Sequence, residues 1–144
     1  MIKQMHSGWA YLVLIVLIGA FINALLGVIS KKEFKAKDLR LALFALIFAH
    51  IQLILGFINY YVSPFYTHMK EIGMGATMKD ATARLITVEH PLMMILAIVL
   101  ITMGFSKHKK RTSDKAKFRT IAIFYGMALL LILAKIPWQQ WFAK

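Results

Sequence analysis

Four apolar runs dominate this chain of 144 residues, and each is long enough to form a helix that crosses the hydrocarbon core of a membrane. About 20 helical residues suffice for such a crossing. The runs cover residues 8–29, 41–61, 85–105 and 121–138. The first follows few charges and has no small-residue cleavage site, so we expect it to remain as a helix rather than to be removed as a signal peptide. The pattern predicts an all-α integral membrane protein in which residues 1–144 form a single transmembrane domain.

Basic residues concentrate in two of the three connections between these runs. Residues 31–40 and 107–119 together hold 12 of the 18 lysines and arginines. Positive connectors normally face the cytoplasm, and they lack the interleaved aromatic or small polar residues of a nucleic-acid interface. We therefore expect a bacterial inner membrane protein with no nucleic-acid partner. Its loops 30–40 and 106–120 are then cytoplasmic, and both of its termini lie outside, on the periplasmic side.

Aromatic residues give independent support for this orientation. Trp and Tyr gather where a helix meets the membrane surface, and here they gather at the ends of the runs opposite the basic connectors. These residues, with one Phe, are Trp9, Tyr11, Tyr60, Tyr61, Phe65, Tyr66, Trp138 and Trp141. Short connections favour an up-and-down four-helix bundle. In the longer outer connection, residues 77–84 have a helical composition that would extend the third span outward.

The composition also excludes several kinds of chemistry. The chain has no cysteine, so it has no disulfide, no thiolate-bound iron–sulfur cluster and no covalently attached c-type haem. Only six acidic residues are present. Only Glu89 among them lies near membrane depth, so hydrolysis by paired carboxylates is not expected.

Histidines set into the apolar runs are the main functional signal, because an ionisable side chain in a bilayer is costly unless it is paired or bound. His50 lies near the middle of the second run, His90 about one turn inside the outer end of the third, and His6 at the outer mouth of the first. At about 1.5 Å per residue, His90 lies roughly 7–9 Å further out than His50, and His6 about 10 Å further still. On this measure no two of them are level.

These residue types point to b-type haem, which neutral imidazoles can hold between facing helices of a bundle. We expect His50 with His90 as the axial pair, and His6 with His90 as the next choice. Arg84, Lys135 and Lys79 are candidate cations for the haem propionates. Glu89 beside His90 is a candidate proton relay to or from a quinol.

Two other interpretations remain open from the residues alone. The chain is a haem-free accessory subunit if His50 and His90 bond neighbouring helices and no slot separates those helices. The second alternative is copper handling, because imidazole and thioether ligands suit copper. Its candidate pairs are Met5 with His6, His68 with Met69, and His90 with Met93 and Met94.

Nearly the whole chain resembles a group of short bacterial four-span membrane proteins labelled cytochrome-b-like. The motifs that carry the resemblance are His6-Ser7, Phe48-Ala49-His50-Ile51-Gln52-Leu53, Tyr61-Val62-Ser63-Pro64, Val88-Glu89-His90, Ile101-Thr102-Met103-Gly104 and Ile136-Pro137-Trp138. The resemblance implies haem binding through His6, His50 and His90. It also implies an electron-transfer module or subunit of a larger respiratory or other membrane complex, rather than a self-contained enzyme. The group has an arginine shortly after His6-Ser7, whereas this chain has Ala10 there.

Overall fold

A computed structural model describes residues 1–143, and this part of the chain is α-helical with no β-strand. The helices are α1 (Ile2–Ile29), α2 (Ala36–Val62), α3 (Pro64–Lys79), α4 (Ala81–Arg84), α5 (His90–His108), α6 (Asp114–Lys135) and α7 (Trp138–Phe142). A π-helical turn, Leu85–Glu89, joins α4 to α5. The three pieces therefore form one continuous long helix, Ala81–His108.

Four helices are long and apolar enough to cross a membrane, which confirms the four runs read from the sequence. They are Ile2–Ile29, Ala36–Val62, Ala81–His108 and Asp114–Lys135. The last ends at Lys135, short of residue 138, because Pro137 disfavours helical geometry at the residue before it. Ile136 accordingly has φ −66° and ψ 132°.

The four long helices form an up-and-down bundle. Neighbours around the bundle are α1–α2, α2–α5, α5–α6 and α6–α1, so α1 and α5 lie diagonally opposite each other. At one end, the start of α1 meets the end of α2 and the start of α5 meets the end of α6. At the other end, Asn23 of α1 donates to Asp38 at the start of α2 over 2.8 Å. Neighbouring helices are therefore antiparallel.

Small residues let the helices pack close together. This is usual between helices in lipid, where the hydrophobic effect does not drive helix association. The buried core contains Ala20, Ala24, Ala42, Ala45, Ala49, Ala97 and Ala128. The Tyr125 hydroxyl reaches between them and donates to the Ala42 carbonyl over 2.8 Å. The alanines of α2 are thus buried in the core, and Ala42 contacts α6.

The outside of the bundle carries large apolar side chains. Ile15 is 66% exposed, Ile54 60% and Leu130 70%. A water-soluble bundle would direct such residues inward. The apolar outer surface and the helix lengths together suggest a multi-pass membrane protein.

The connection between the second and third spans is itself helical. Ser63 caps α3, and α3 is interrupted at Gly73, whose φ of 83° lies in the left-handed region that favours glycine. The Asp80 carboxylate then accepts from the Thr82 and Ala83 amides and starts the long helix at Ala81. The helical extension expected over residues 77–84 is therefore present from Ala81 onward, while Thr77 still belongs to α3.

Candidate functional site

His6 and His90 face each other at the end of the bundle that carries the chain termini. Their ring centroids are 6.4 Å apart, and the ring planes make an angle of 75°. Because α1 and α5 are diagonal, the two imidazoles meet across the interior rather than along one helix–helix seam. The second of the two pairs expected from the sequence is therefore the one that the fold brings together.

His6 lies where α1 packs against α2. The Gln52 amide donates to the His6 backbone carbonyl over 2.8 Å. The Gln52 side chain is also a hydrogen-bonding neighbour of the His6 ring. A Cβ on Gly56 would lie 3.2 Å from His6 Cε1, so glycine makes room for the ring. These contacts with α2 fix the position of the imidazole.

His90 is oriented by the end of α6. Its Nδ1 lies 2.9 Å from the Lys135 carbonyl oxygen. A carbonyl only accepts, so Nδ1 carries the proton and the neutral ring keeps its lone pair on Nε2. This carbonyl is free because α6 stops before Pro137 and leaves its last carbonyls unpaired. A backbone carbonyl behind the ring is the usual way of orienting a metal-binding histidine.

Pro91 explains the π-helical turn next to His90. Proline has no amide hydrogen to donate to the carbonyl four residues earlier, which is that of Thr87. The Tyr60 hydroxyl of α2 donates to this carbonyl instead, over 2.8 Å, and the His90 amide bonds Leu85 in a wider turn. Such turns inside α-helices often occur at functional sites. The turn, together with Tyr60, fixes the start of α5.

Glu89 lies between two cations beside the histidine pair. Its carboxylate is 2.9 Å from Arg84 Nε and 3.1 Å from Lys135 Nζ. Arg84 also donates to the Met78 carbonyl over 2.7 Å. The three groups leave one net positive charge near His90. Lys135 contacts both features, through its side chain to Glu89 and through its carbonyl to His90.

Replacing Glu89 by glutamine should lower the midpoint of thermal unfolding by a few degrees, since both cations lose their carboxylate. The groups are partly exposed, with Glu89 at 28%, so the effect should be modest and should shrink as salt is added. Glu71→Gln is the matched control, because Glu71 is exposed and makes no ion pair within residues 1–143. Equal midpoints for the two variants would show that the ion pairs do not stabilise the bundle.

The other histidines lie elsewhere. His50 is exposed on the outer face of α2, and its Nδ1 bonds the Leu46 carbonyl of the same helix over 2.8 Å. It therefore does not meet His90, so the fold does not form the pair that the sequence favoured. The reason is rotational: Ala49 faces the core, and its neighbour one residue on is turned by about 100°. His68 is exposed in α3, and His108 is buried at the opposite end of the bundle.

No group of three or more His, Asp or Glu side chains within residues 1–143 is placed to hold a metal ion. Of the methionines considered for copper, Met69 accepts a 4.0 Å contact from the Tyr60 hydroxyl. Met5 is 49% exposed. Lys79, the third candidate for a propionate, is exposed at the end of α3.

Gln52 and Tyr60 belong to the site but were not singled out from the sequence as site residues. Gln52, Gly56 and Tyr60 follow each other at intervals of four, which places them on one face of α2. That spacing could have identified the face of α2 that meets the site. The role of Tyr60 could not be predicted, because Pro91 leaves the Thr87 carbonyl unpaired only if the two residues lie in one helix.

Comparison of the chain with protein-family models, with curated proteins and with solved structures gave no match. The resemblance to cytochrome-b-like four-span proteins therefore stays a prediction.

Proposed function

We propose that the chain is a bacterial inner membrane protein that binds b-type haem through His6 and His90 and transfers electrons. The observation that carries this proposal is the facing pair of imidazoles, of which His90 has its free nitrogen set by the Lys135 carbonyl. Two imidazoles bound to one metal at about 2 Å per bond have centroids roughly 6 Å apart. The observed 6.4 Å suits that arrangement.

The orientation in the proposal follows the charges and the aromatic residues. The lysine-rich connectors lie at the end of the bundle away from the histidine pair, so the positive-inside rule puts the pair near the outer surface. Both termini are then periplasmic. A site at this depth is within reach of an electron carrier in the outer half of the bilayer, and quinol is the carrier we propose.

The roles of the chain's own groups follow from their positions. His6 and His90 would hold the haem iron, and haem bound there would supply one-electron redox chemistry. Arg84 and Lys135 would hold the anionic propionates near the surface, and Glu89 would offset part of their charge. Glu89 is also the nearest carboxylate for taking up or releasing a proton when electrons move.

The site suits haem in its donor atoms and its charges, but it has no open space for the macrocycle. The two best-formed cavities are lined by other residues, not by His6 or His90. Binding the macrocycle would therefore require side chains of the bundle interior to move apart. The space beside Gly56 is already taken by the His6 ring.

The alternative function is that of a haem-free accessory subunit of a larger membrane complex. The observation that favours it is His50, an exposed imidazole near the middle of α2 among exposed apolar residues such as Ile47, Ile51 and Ile54. A polar group facing lipid at that depth is unfavourable, and contact with a neighbouring subunit would relieve the cost.

The deciding experiment is an oxidised-minus-reduced absorption spectrum of the full chain, purified in mild detergent from cells supplied with haem, together with a pyridine haemochrome assay. We expect a sharp reduced α-band and about one haem per chain. A featureless spectrum would overturn the cytochrome proposal in favour of the accessory subunit. Apo protein titrated with haem serves as the control for incomplete loading.

A further inference from the structure

The opposite end of the bundle contains a cavity of about 350 Å³ that the histidine pair does not use. Its lining comes from both basic connectors and the ends of the helices they join. The lining residues are Phe34, Lys35, Ala36, Leu39, His108, Lys109 and Lys117. The volume lies in the range of small-molecule sites.

The charged side chains that line this cavity are all lysines. Three lysines face the cavity, and within residues 1–143 the only ion pairs are those of Glu89 at the far end of the bundle. Asp38, at the start of α2, is already bonded to the Asn23 amide and the Lys35 backbone amide. None of the three lysines makes an ion pair within the described residues.

His108 forms part of the cavity wall. It is only 1% exposed and lines the cavity. Its ring has the Phe105 backbone as a hydrogen-bonding neighbour. Aromatic rings hold it in place, with Phe34 at 5.4 Å and Phe105 at 4.9 Å between centroids. His108 therefore shapes the cavity as a packed ring.

The aromatic residues also position the lysines. Lys117 Nζ lies 5.5 Å from the centre of the Phe34 ring, and Lys109 Nζ lies 5.5 Å from that of Phe105. These cation–π contacts hold two flexible side chains next to the cavity, which reduces the entropy lost when they bind an anion.

We propose that this cavity binds a phosphate group through Lys35, Lys109 and Lys117, with His108 on its wall. The phosphate belongs either to the headgroup of an anionic lipid or to a soluble phosphate compound, since the same donors recognise both. The cavity lies at the ends of the long helices that carry the lysine-rich connectors. In the proposed orientation these ends are at the membrane surface, where lipid headgroups are available.

The test compares two double variants of the full chain in detergent micelles. Lys109→Gln with Lys117→Gln removes two cations at the cavity. Lys32→Gln with Lys110→Gln removes two exposed cations from the same connectors outside the cavity. Native mass spectrometry measures binding of phosphatidylglycerol, with phosphatidylcholine as the neutral lipid, and calorimetry measures binding of inorganic phosphate.

We expect the first double variant to weaken phosphate-group binding by about tenfold or more and the second by less than about threefold. Tight binding of phosphatidylglycerol with this pattern identifies the lipid as the source, and binding of inorganic phosphate with the same pattern identifies a soluble ligand. Equal losses in the two variants would overturn the site in favour of general attraction to a basic surface. Absence of binding to either probe would also overturn it.

Discussion

If the chain binds haem as we propose, alanine at His6 or at His90 should each remove it, with at least about nine-tenths of the reduced α-band lost. Each substitution deletes one of the two facing imidazoles, and a b-type haem has no covalent bond to keep it in place. The measurement is the haem-to-protein ratio of each purified variant from the pyridine haemochrome assay. Size-exclusion profiles show whether each variant keeps the fold of the parent chain.

His50→Ala is the matched control for these variants. It deletes the same side chain from the same bundle, yet its ring bonds only the Leu46 carbonyl of its own helix. We expect it to keep its haem. If His50→Ala loses haem while His6→Ala retains it, the axial pair assigned here is wrong.

A further variant separates ligation from packing. Methionine at position 6 offers a thioether of similar length, and His/Met ligation raises the reduction potential of a haem relative to His/His. His6→Met should therefore retain haem with a more positive midpoint potential. A merely structural role for His6 would leave the potential unchanged.

Gly104→Ala should lower the free energy of unfolding by about 1–3 kcal/mol, the usual cost of overfilling a well-packed core. A Cβ on Gly104 would lie 2.5 Å from Phe124 Cβ and 3.5 Å from Tyr125 Cδ1. The first of these atoms is fixed by its backbone, so α5 and α6 have to move apart along their most extensive interface. Denaturation with sodium dodecyl sulfate in mixed micelles measures the change.

Gly19→Ala is the control for Gly104→Ala. Gly19 also lies inside a long helix, and a Cβ there would meet nothing within 4 Å. Alanine favours helix over glycine by up to about 1 kcal/mol, so this variant should be neutral or slightly more stable. Equal stability of the two variants would mean that the close approach of α5 and α6 is not required.

Patterns of neighbouring residues in the sequence were sufficient to predict the four long helices, but they predicted poorly which histidines meet. The apolar runs appear as helices at the expected places because hydrophobic length is a property of the sequence itself. Pro137 ends α6 and Pro91 accompanies the π-helical turn, and both effects depend on the proline and its immediate neighbours. Which histidines pair depends instead on the depth of each side chain in the bundle and on the rotation of its helix. The span boundaries were estimated only to within a few residues, and an error of a few residues changes both the depth and the rotation.

His50 and His6 illustrate the difference. Measured from the estimated span midpoints, His50 was closer in depth to His90 than His6 was. However, α1 starts at Ile2 and not at residue 8, so His6 lies within the helix. The rotation of α2 then places Ala49 inside and His50 outside. A difference of one residue on a helix moves a side chain by about 100°, and only the packed neighbours fix that angle.

The sequence by itself determined the helical class, the four long apolar helices and the division between a lysine-rich end and an aromatic end, because each follows from the chemistry of consecutive residues. The tertiary structure alone decided that His6 meets His90 and that Glu89 lies between Arg84 and Lys135. It also decided that three lysines surround one cavity. These groups are up to 84 positions apart in the chain, as His6 and His90 are. Their meeting depends on helix rotation and on the close approach allowed by alanine and glycine, which no local pattern specifies.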